Sequence, residues 1–576
     1  MKILVKPLVF LLLSTSIVFL LAIGVIIQIP LIAYLGLCLL GLNIILSIMY
    51  GEQLKHSLLI FILVILSFTL ALSYESISYY PLGEDVHSEY YVLKSLLNKD
   101  HVELLKEASI PELLSPPPYY YEIYSYIFFS LIFKYITMMD EVVIIKYIWN
   151  TCILGLIPLV TYLYIKKATG NTASALIGSY LIISQSTYVV TLHSTSKNVA
   201  GLFMLGLLLY SFMSYLGDQR SRRPTGVILI LILISFNGFH YMSSGIGALI
   251  SSLAIIPLLL TYKWYGSEVP SSQKFVMTLT LLWMISWFLT YALLTNSIIK
   301  PLINLVTNLL YLTPLPHGYE LINVSSLPTY LNYLRLLVDA LISLLILMAG
   351  LDSSINLLRN RGGFIDSLIA VAACLFYISS AAEIFKLTTI GVGRLSIIYI
   401  LIISPYLYKS IVTIFLRKIP FRRYMKNTII LLTLAIIIST RIMLSTGAVS
   451  YAMGSVESSI FLDPLYRYKT SVTYADIKSA VLLNEYYSDV KPVVLDLKSI
   501  DVFHYVENLR YFTVKLLPLS ENRSELGSDI VYFNSHNLLV GKIHVRVNVF
   551  IDYNEYHYLN EVKSLVFNYG YSIILY

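Results

Sequence analysis

Charge is what this chain has least of: Lys, Arg, Asp and Glu make up 13% of its 576 residues, 57% are hydrophobic, and the mean hydropathy is +0.75. A chain so composed cannot cover itself with the polar shell of a water-soluble globule, so it reads as a multipass membrane protein. Cysteine is nearly absent too. Cys38, Cys152 and Cys374 all lie inside apolar runs without metal-ligand spacing, which excludes a thiolate metal cluster and makes them buried small hydrophobes. Tryptophan stops at Trp287, leaving none in residues 447–576. The net charge of +7 is modest and gathered in a few short loops, a sign of membrane topology and not of nucleic-acid binding. No internal repeat or coiled-coil period stands out.

What is present is a succession of apolar runs near the roughly 20 residues a spanning helix needs. They fall at 7–29, 31–50, 57–74, 142–165, 172–191, 198–216, 224–237, 240–260, 275–297, 329–350, 364–382, 393–416 and 427–446. That makes about 13 spans of an α-helical polytopic membrane protein. The first run is long and lacks a small-residue cleavage site, so it is kept as a span and not as a secretory signal. The run 224–237 is short, which suggests a tilted, locally thinned or broken helix.

The apolar, tyrosine-rich run 119–137 decides the topology. Counted as a crossing, it would put Lys166, Lys167, Arg220, Arg222, Arg223 and the basic stretch 417–426 outside, against the tendency of basic residues to stay cytoplasmic. It is therefore read as interfacial or re-entrant, with its tyrosines at the headgroup level. The N-terminus is then cytoplasmic and the segment 75–118 is a large first external loop. That loop is acidic with leucines at helical spacing, which suggests amphipathic helices on the outer membrane surface. Ser115-Pro116-Pro117-Pro118 ends them.

After the transmembrane domain, 1–446, the pattern changes. Residues 493–495, 530–533, 545–550 and 572–575 read as short strands, and 474–487 and 555–567 show helical spacing. A small extracytoplasmic α/β domain over 447–576 follows from the odd number of spans. The sequons at Asn323 and Asn522 fall on that outer side.

The polar residues at span boundaries gather on the same side. The densest stretch is Gly83-Glu84-Asp85-Val86-His87-Ser88-Glu89-Tyr90-Tyr91, where three carboxylates and an imidazole are costly unless they face water, a cation or a substrate. Asp85 and Glu89 are four apart and share a helical face, and Glu84 points elsewhere. A carboxylate here can act as a general base or hold a divalent cation, Mg²⁺ or Mn²⁺, against a leaving phosphate. A solvated acidic loop is the alternative for Glu84 and Glu89, and His87 reads as a water-facing neighbour. The same side receives His193, Lys197, His240 with Tyr241, Glu383, Lys386 and Arg394, the last preceded by two glycines in the stretch Gly391-Val392-Gly393. Lys197 is either a phosphate contact or a snorkelling lysine, His240 a site residue or part of an aromatic belt, and Arg394 a phosphate clamp or the ion-pair partner of Glu383. Carboxylates opposite Lys, Arg and His suit a site that binds a lipid-linked phosphate and deprotonates an acceptor.

An acidic motif in the first large external loop, the prolines after it, about a dozen spans and an external C-terminal domain together resemble the GT-C superfamily of polyprenyl-phosphate-dependent glycosyltransferases. The Asp85 stretch, Lys197-Asn198-Val199-Ala200, His240-Tyr241-Met242-Ser243 and Gly393-Arg394-Leu395 with Pro405 look like motifs of archaeal multipass membrane proteins placed near that superfamily. The resemblance implies a transferase that passes a sugar or glycan from a polyprenyl- or dolichyl-phosphate carrier to a glycan or protein acceptor on the extracytoplasmic face. It makes Asp85 the catalytic base or metal-binding acid and Arg394 the ligand of the lipid phosphate. Lys197 stands where many relatives carry arginine, keeping the charge without the bidentate fork. The oligosaccharyltransferase branch has a WWD-type motif in its C-terminal domain, and the absence of tryptophan there argues against that branch. A transporter or flippase of a lipid-linked or anionic substrate is the alternative, and it would call for midplane charges and paired broken helices.

Overall fold

The computed structural model describes residues 7–78, 85–98, 124–192, 195–217, 222–294, 329–384, 392–416, 423–453, 474–486 and seven short strands between 493 and 575. The helices are α1 (Pro7–Ile26), α2 (Pro30–Tyr50), α3 (His56–Glu75), α4 (Asp85–Asn98), α5 (Tyr124–Thr137), α6 (Glu141–Thr169), α7 (Thr172–Ile183), α8 (Ser196–Gly217) and α9 (Arg222–Phe239). They continue with α10 (Tyr241–Leu253), α11 (Ile255–Trp264), α12 (Ser271–Phe288), α13 (Thr329–Leu358), α14 (Phe364–Ile384), α15 (Val392–Leu416), α16 (Arg423–Ser445) and the short α17 (Ala448–Ala452). Among the described residues 12 helices are long and apolar enough to cross a membrane, with α10 and α11 counted as one. The chain is an α-helical polytopic membrane protein.

The length rule leaves out α7, which has 12 residues and is followed by a bend and a π-type turn over Thr187–Thr191. It crosses nonetheless. Lys167, near the end of α6, lies 4.0 Å from where a Cβ on Gly217, the last residue of α8, would stand. Helices α6 and α8 therefore end at the same side, and the chain between them must return. Residues 173–183 are all buried, so the interrupted backbone is wrapped in protein and never has to satisfy its N–H and C=O groups against lipid. The 12 helices and this crossing together match the count of about 13. The segment expected to be short forms a helix of 18 residues, Arg222–Phe239, long enough to span without special adjustment.

The two ends of the bundle are told apart by contacts. At one end His56 Nδ1 meets the Tyr162 hydroxyl at 3.0 Å, and the Tyr265 O–H donates to the Leu358 carbonyl. Lys166, Lys167, Lys263, Lys274, Arg359 and Arg361 belong to helix ends and turns of this basic end. The other end carries the starts of α6, α8, α10 and α15 and the ends of α9 and α16.

The described part of the acidic segment, Asp85–Asn98, departs from a surface-lying helix. Val86, His87, Glu89, Tyr90, Val92 and Leu93 of α4 are buried, because the helix packs against α5 and the start of α6 instead of lying with one face in water. Among the described residues helix α5 has 14 residues. Of its tyrosines, Tyr126 is fully buried within the protein.

Toward the C-terminus, helix α18 (Tyr474–Tyr486) precedes β1 (Val493–Leu495), β2 (Val514–Leu516), β3 (Ile530–Phe533), β4 (Lys542–Arg546), β5 (Val549–Asp552), β6 (Leu565–Asn568) and β7 (Ile573–Leu575). A mixed sheet runs β2-β1-β3-β7-β6, with β1 parallel to β2 and β3, and β7 antiparallel to β3 and β6. The expected single strand at 545–550 is divided between β4 and β5, which pair antiparallel. The end of the expected helix at 555–567 enters β6, whose partner β7 supplies the hydrogen bonds that local spacing does not foretell.

Candidate functional site

The polar end is assembled around the first turn of α8. Glu89, on α4, is 1% exposed, and its carboxylate accepts the backbone N–H of Ser196 at 3.0 Å and that of Lys197 at 3.4 Å. The Tyr126 O–H donates to the same carboxylate at 3.2 Å. Glu89 thus caps a helix that begins 107 residues later, where a negative charge is favoured by the helix dipole and by otherwise unsatisfied N–H groups. Burial, joined by the Glu89 charge, holds the Tyr126 phenol well above its ordinary range, which keeps it a donor.

An aromatic bed supports this cap. The Tyr126 and Trp149 rings stand 5.1 Å apart, Trp149 and Phe239 5.9 Å apart, and the Trp149 indole N–H donates to Ser130 Oγ at 2.8 Å. Phe239 ends α9, and the next residue is His240. It is 4% exposed, with extended backbone, and its Nδ1 accepts the Ser243 N–H at 3.2 Å as the N-cap of α10. An accepting Nδ1 puts the proton of the neutral ring on Nε2.

Helices α8 and α10 touch through Gly201. A Cβ there would stand 2.7 Å from His240 Cβ and 3.0 Å from Ser243 Oγ, so only glycine lets the two helix starts approach this closely. Lys197 is one turn before Gly201, on the same face of α8, and is 4% exposed. Beneath lies a second polar knot. Asn237 Oδ1 accepts from the Trp283 indole N–H at 3.0 Å and from Ser244 Oγ at 2.5 Å, which fixes the end of α9 to α10 and α12.

Glu89, Lys197 and His240, far apart in sequence, are thereby brought into one buried cluster. Asp85 is the first residue of α4, one turn before Glu89 on the same helix, and Arg394 is in the first turn of α15 at the same end of the bundle. Tyr241 begins α10. The side chains of Asp85, Tyr241, Glu383 and Arg394, and all of Glu84, His193 and Lys386, lie outside the described residues. Two expectations change. Glu89 is not a solvated loop acid, and His87, fully buried, is not a water-facing neighbour, because α4 is enclosed by α5 and α6.

The cation expectation narrows as well. Among the described residues no three His, Cys, Asp or Glu side chains converge. Both oxygens of Glu89 receive N–H or O–H donors, and the positive end of α8 faces the carboxylate, an unfavourable place for a divalent cation. Glu89 does not fit as a metal ligand.

Sequence reading missed three participants. Tyr126 and Trp149 look like ordinary membrane aromatics, and nothing in their neighbours marks them as Glu89's support. Lys146, 1% exposed, donates from Nζ to the Ser78 carbonyl and feels the Glu75 charge, tying the start of α6 to the chain leaving α3. Its sign was the lysine itself, four residues into a span.

No protein family and no curated protein matches the chain. Solved structures align over most of its length. One is archaeal oligosaccharyltransferase AglB from Archaeoglobus fulgidus in complex with an inhibitory peptide and a dolichol-phosphate, 11% identical over 83% of this chain and 69% of that one, with a TM-score of 0.48. The Archaeoglobus fulgidus oligosaccharyltransferase in its apo form is 10% identical over 83% and 70%, with a TM-score of 0.49. ArnT from Cupriavidus metallidurans bound to undecaprenyl phosphate is 8% identical over 91% and 98%, with a TM-score of 0.44.

Proposed function

We propose that the chain is a GT-C-type membrane glycosyltransferase that moves a sugar or glycan from a polyprenyl- or dolichyl-phosphate carrier to a glycan or protein acceptor. The observation that carries this reading is the convergence of Glu89, Lys197 and His240 at one end of the bundle, where the backbone also brings Asp85 and Arg394. In this reading Asp85 takes the proton of the acceptor as its nucleophile attacks the anomeric carbon. Lys197 and Arg394 stabilise the charge that grows on the departing lipid phosphate. His240 lines the site with Nε2 as its donor, and Tyr241, His193 and Lys386 are its further candidate contacts. Glu89 is a positioning residue, since its carboxylate is spent on the start of the helix that presents Lys197. Glu84 is an acid of the segment that leads into Asp85. No step is assigned to a cation.

The basic loops belong on the cytoplasmic side, which puts the N-terminus inside and both the site and the 447–576 domain outside, beyond a transmembrane domain of 1–446.

The test is Asp85→Asn in the full chain. With a radiolabelled sugar on polyprenyl phosphate, transfer to acceptor should fall by about 10²-fold or more while expression and lipid-phosphate binding persist. Unchanged glycan products would remove Asp85 from the chemistry. Movement of the intact lipid-linked sugar between leaflets, without a new glycosidic product, would identify a flippase instead.

A further inference from the structure

A second charged group lies at the same end of the bundle, on elements that take no part in the Glu89 cluster. Helix α13 packs against α14, α15 and α16, whereas the cluster is built from α4 to α10. Across the α13–α16 seam, Arg441 Nη1 donates to Asp339 Oδ1, and Arg335 Nε stands 4.0 Å from Asp339 Oδ2. Two guanidinium groups share one carboxylate, so the trio carries a net +1. Such a charge is costly among apolar side chains unless an anion completes it.

Three features point to that anion. Arg441 is 7% exposed, and its Nε has no hydrogen-bond partner among the described residues although it is buried. An orphaned guanidinium N–H in an apolar setting carries a desolvation cost that nothing in the described residues repays, which leaves a place for an acceptor. Arg335 and Asp339 are open on the same side, with side chains 37% and 40% exposed. Around them Tyr333, Leu336 and Leu337 are also exposed, so the opening faces lipid and not water. Depth fits too. At 1.5 Å per residue, Arg441 is about 6 Å from the end of α16 and Arg335 about 9 Å from the start of α13, within an arginine's reach of the headgroup layer.

We propose that Arg335, Asp339 and Arg441 form a binding site for the phosphate headgroup of an anionic membrane lipid, held at the α13–α16 seam apart from the Glu89 cluster. Arginine suits the task, because its planar fork can serve a carboxylate on one edge and a phosphate on the other. Asp339 holds the two guanidinium groups in place and lowers their joint charge from +2 to +1, the charge that a monoanionic phosphodiester neutralises. The assignment is independent of the transfer chemistry above and survives if that chemistry is wrong.

The experiment is thermal unfolding of the full chain in a neutral detergent, titrated with dioleoylphosphatidylglycerol, with dioleoylglycerol, and with inorganic phosphate. Phosphatidylglycerol should raise the melting temperature, and the other two should not. Arg335→Gln, which leaves the Arg441–Asp339 pair in place, should lose at least half of the phosphatidylglycerol shift, and Arg335→Lys should recover part of it. Asp339→Asn should lower the melting temperature without lipid yet reach half-saturation at several-fold less phosphatidylglycerol, an outcome that a purely structural ion pair would not give. Equal shifts from dioleoylglycerol or from inorganic phosphate, or a full shift in Arg335→Gln, would overturn the site.

Discussion

Two helix starts in this bundle, those of α7 at the basic end and α8 at the polar end, are held by different means. At the basic end the caps where α6 meets α7 are local. Asn171 Oδ1 accepts the Ser174 N–H at 2.8 Å to start α7, and Gly170 ends α6 at φ +69. At the polar end the cap of α8 comes from Glu89, 107 residues upstream, and the approach of α10 depends on Gly201 of α8, 39 residues before His240. Local caps fix single helices. Distant ones fix helices to each other, and only that can hold Lys197 and His240 in one place.

That contrast is broken most severely at Glu89. Glu89→Ala strands two backbone N–H groups and the Tyr126 hydroxyl in a buried site, at about 1–3 kcal/mol for each donor left unsatisfied. A loss of the order of 3 kcal/mol is expected in reversible unfolding, larger than for the single local acceptor Asn171. The transfer activity proposed above should fall further than stability alone explains, because the first turn of α8 frays beneath Lys197. A loss no larger than that of Asn171→Ala would mean that Glu89 is a passive filler.

Gly201→Ala is the next in size. Its Cβ would meet His240 Cβ at 2.7 Å, so the starts of α8 and α10 must part by several tenths of an ångström, an overpacking cost of about 1–3 kcal/mol. The same substitution at Gly170, where nothing lies within 4 Å, strains only the left-handed backbone and should cost about 1 kcal/mol. Transfer activity, measured beside the unfolding curve, should drop in Gly201→Ala and stay near wild type in Gly170→Ala. Equal effects on activity would show that the spacing of the two helices does not matter to the site.

How much was legible follows the same divide. The spans, the basic loops and the strands at 493–495 and 530–533 are readable because apolar length, charge bias and β-branched runs act within a short stretch. The crossing at 172–191 was readable by hydropathy even though its helix stops at Ile183. Lys197 and His240 announce themselves as polar residues at span ends. What sequence could not supply was their meeting. Gly201 resembles any membrane glycine, Tyr126 any interfacial tyrosine, and the burial of Glu89 depends on α5 and α6 folding over α4. Strand β6 was hidden for the same reason, since its partner β7 and not its own spacing decides its conformation.

The smallest effect sharpens the comparison from the other side. Asn171→Ala removes one local acceptor at the start of α7, where Lys166 Nζ still donates to Thr172 Oγ1 at 2.8 Å and to the Gly170 carbonyl at 2.8 Å. A lost N-cap costs about 1 kcal/mol. Because the rest of α7 is buried on all sides, that cost should appear as a lowered unfolding midpoint with no change in the Michaelis constant for the lipid-linked donor or in turnover. If Asn171→Ala instead impaired transfer as much as Gly201→Ala, the broken helix α7 would have to be coupling the two ends, and the division between local and distant caps would fail.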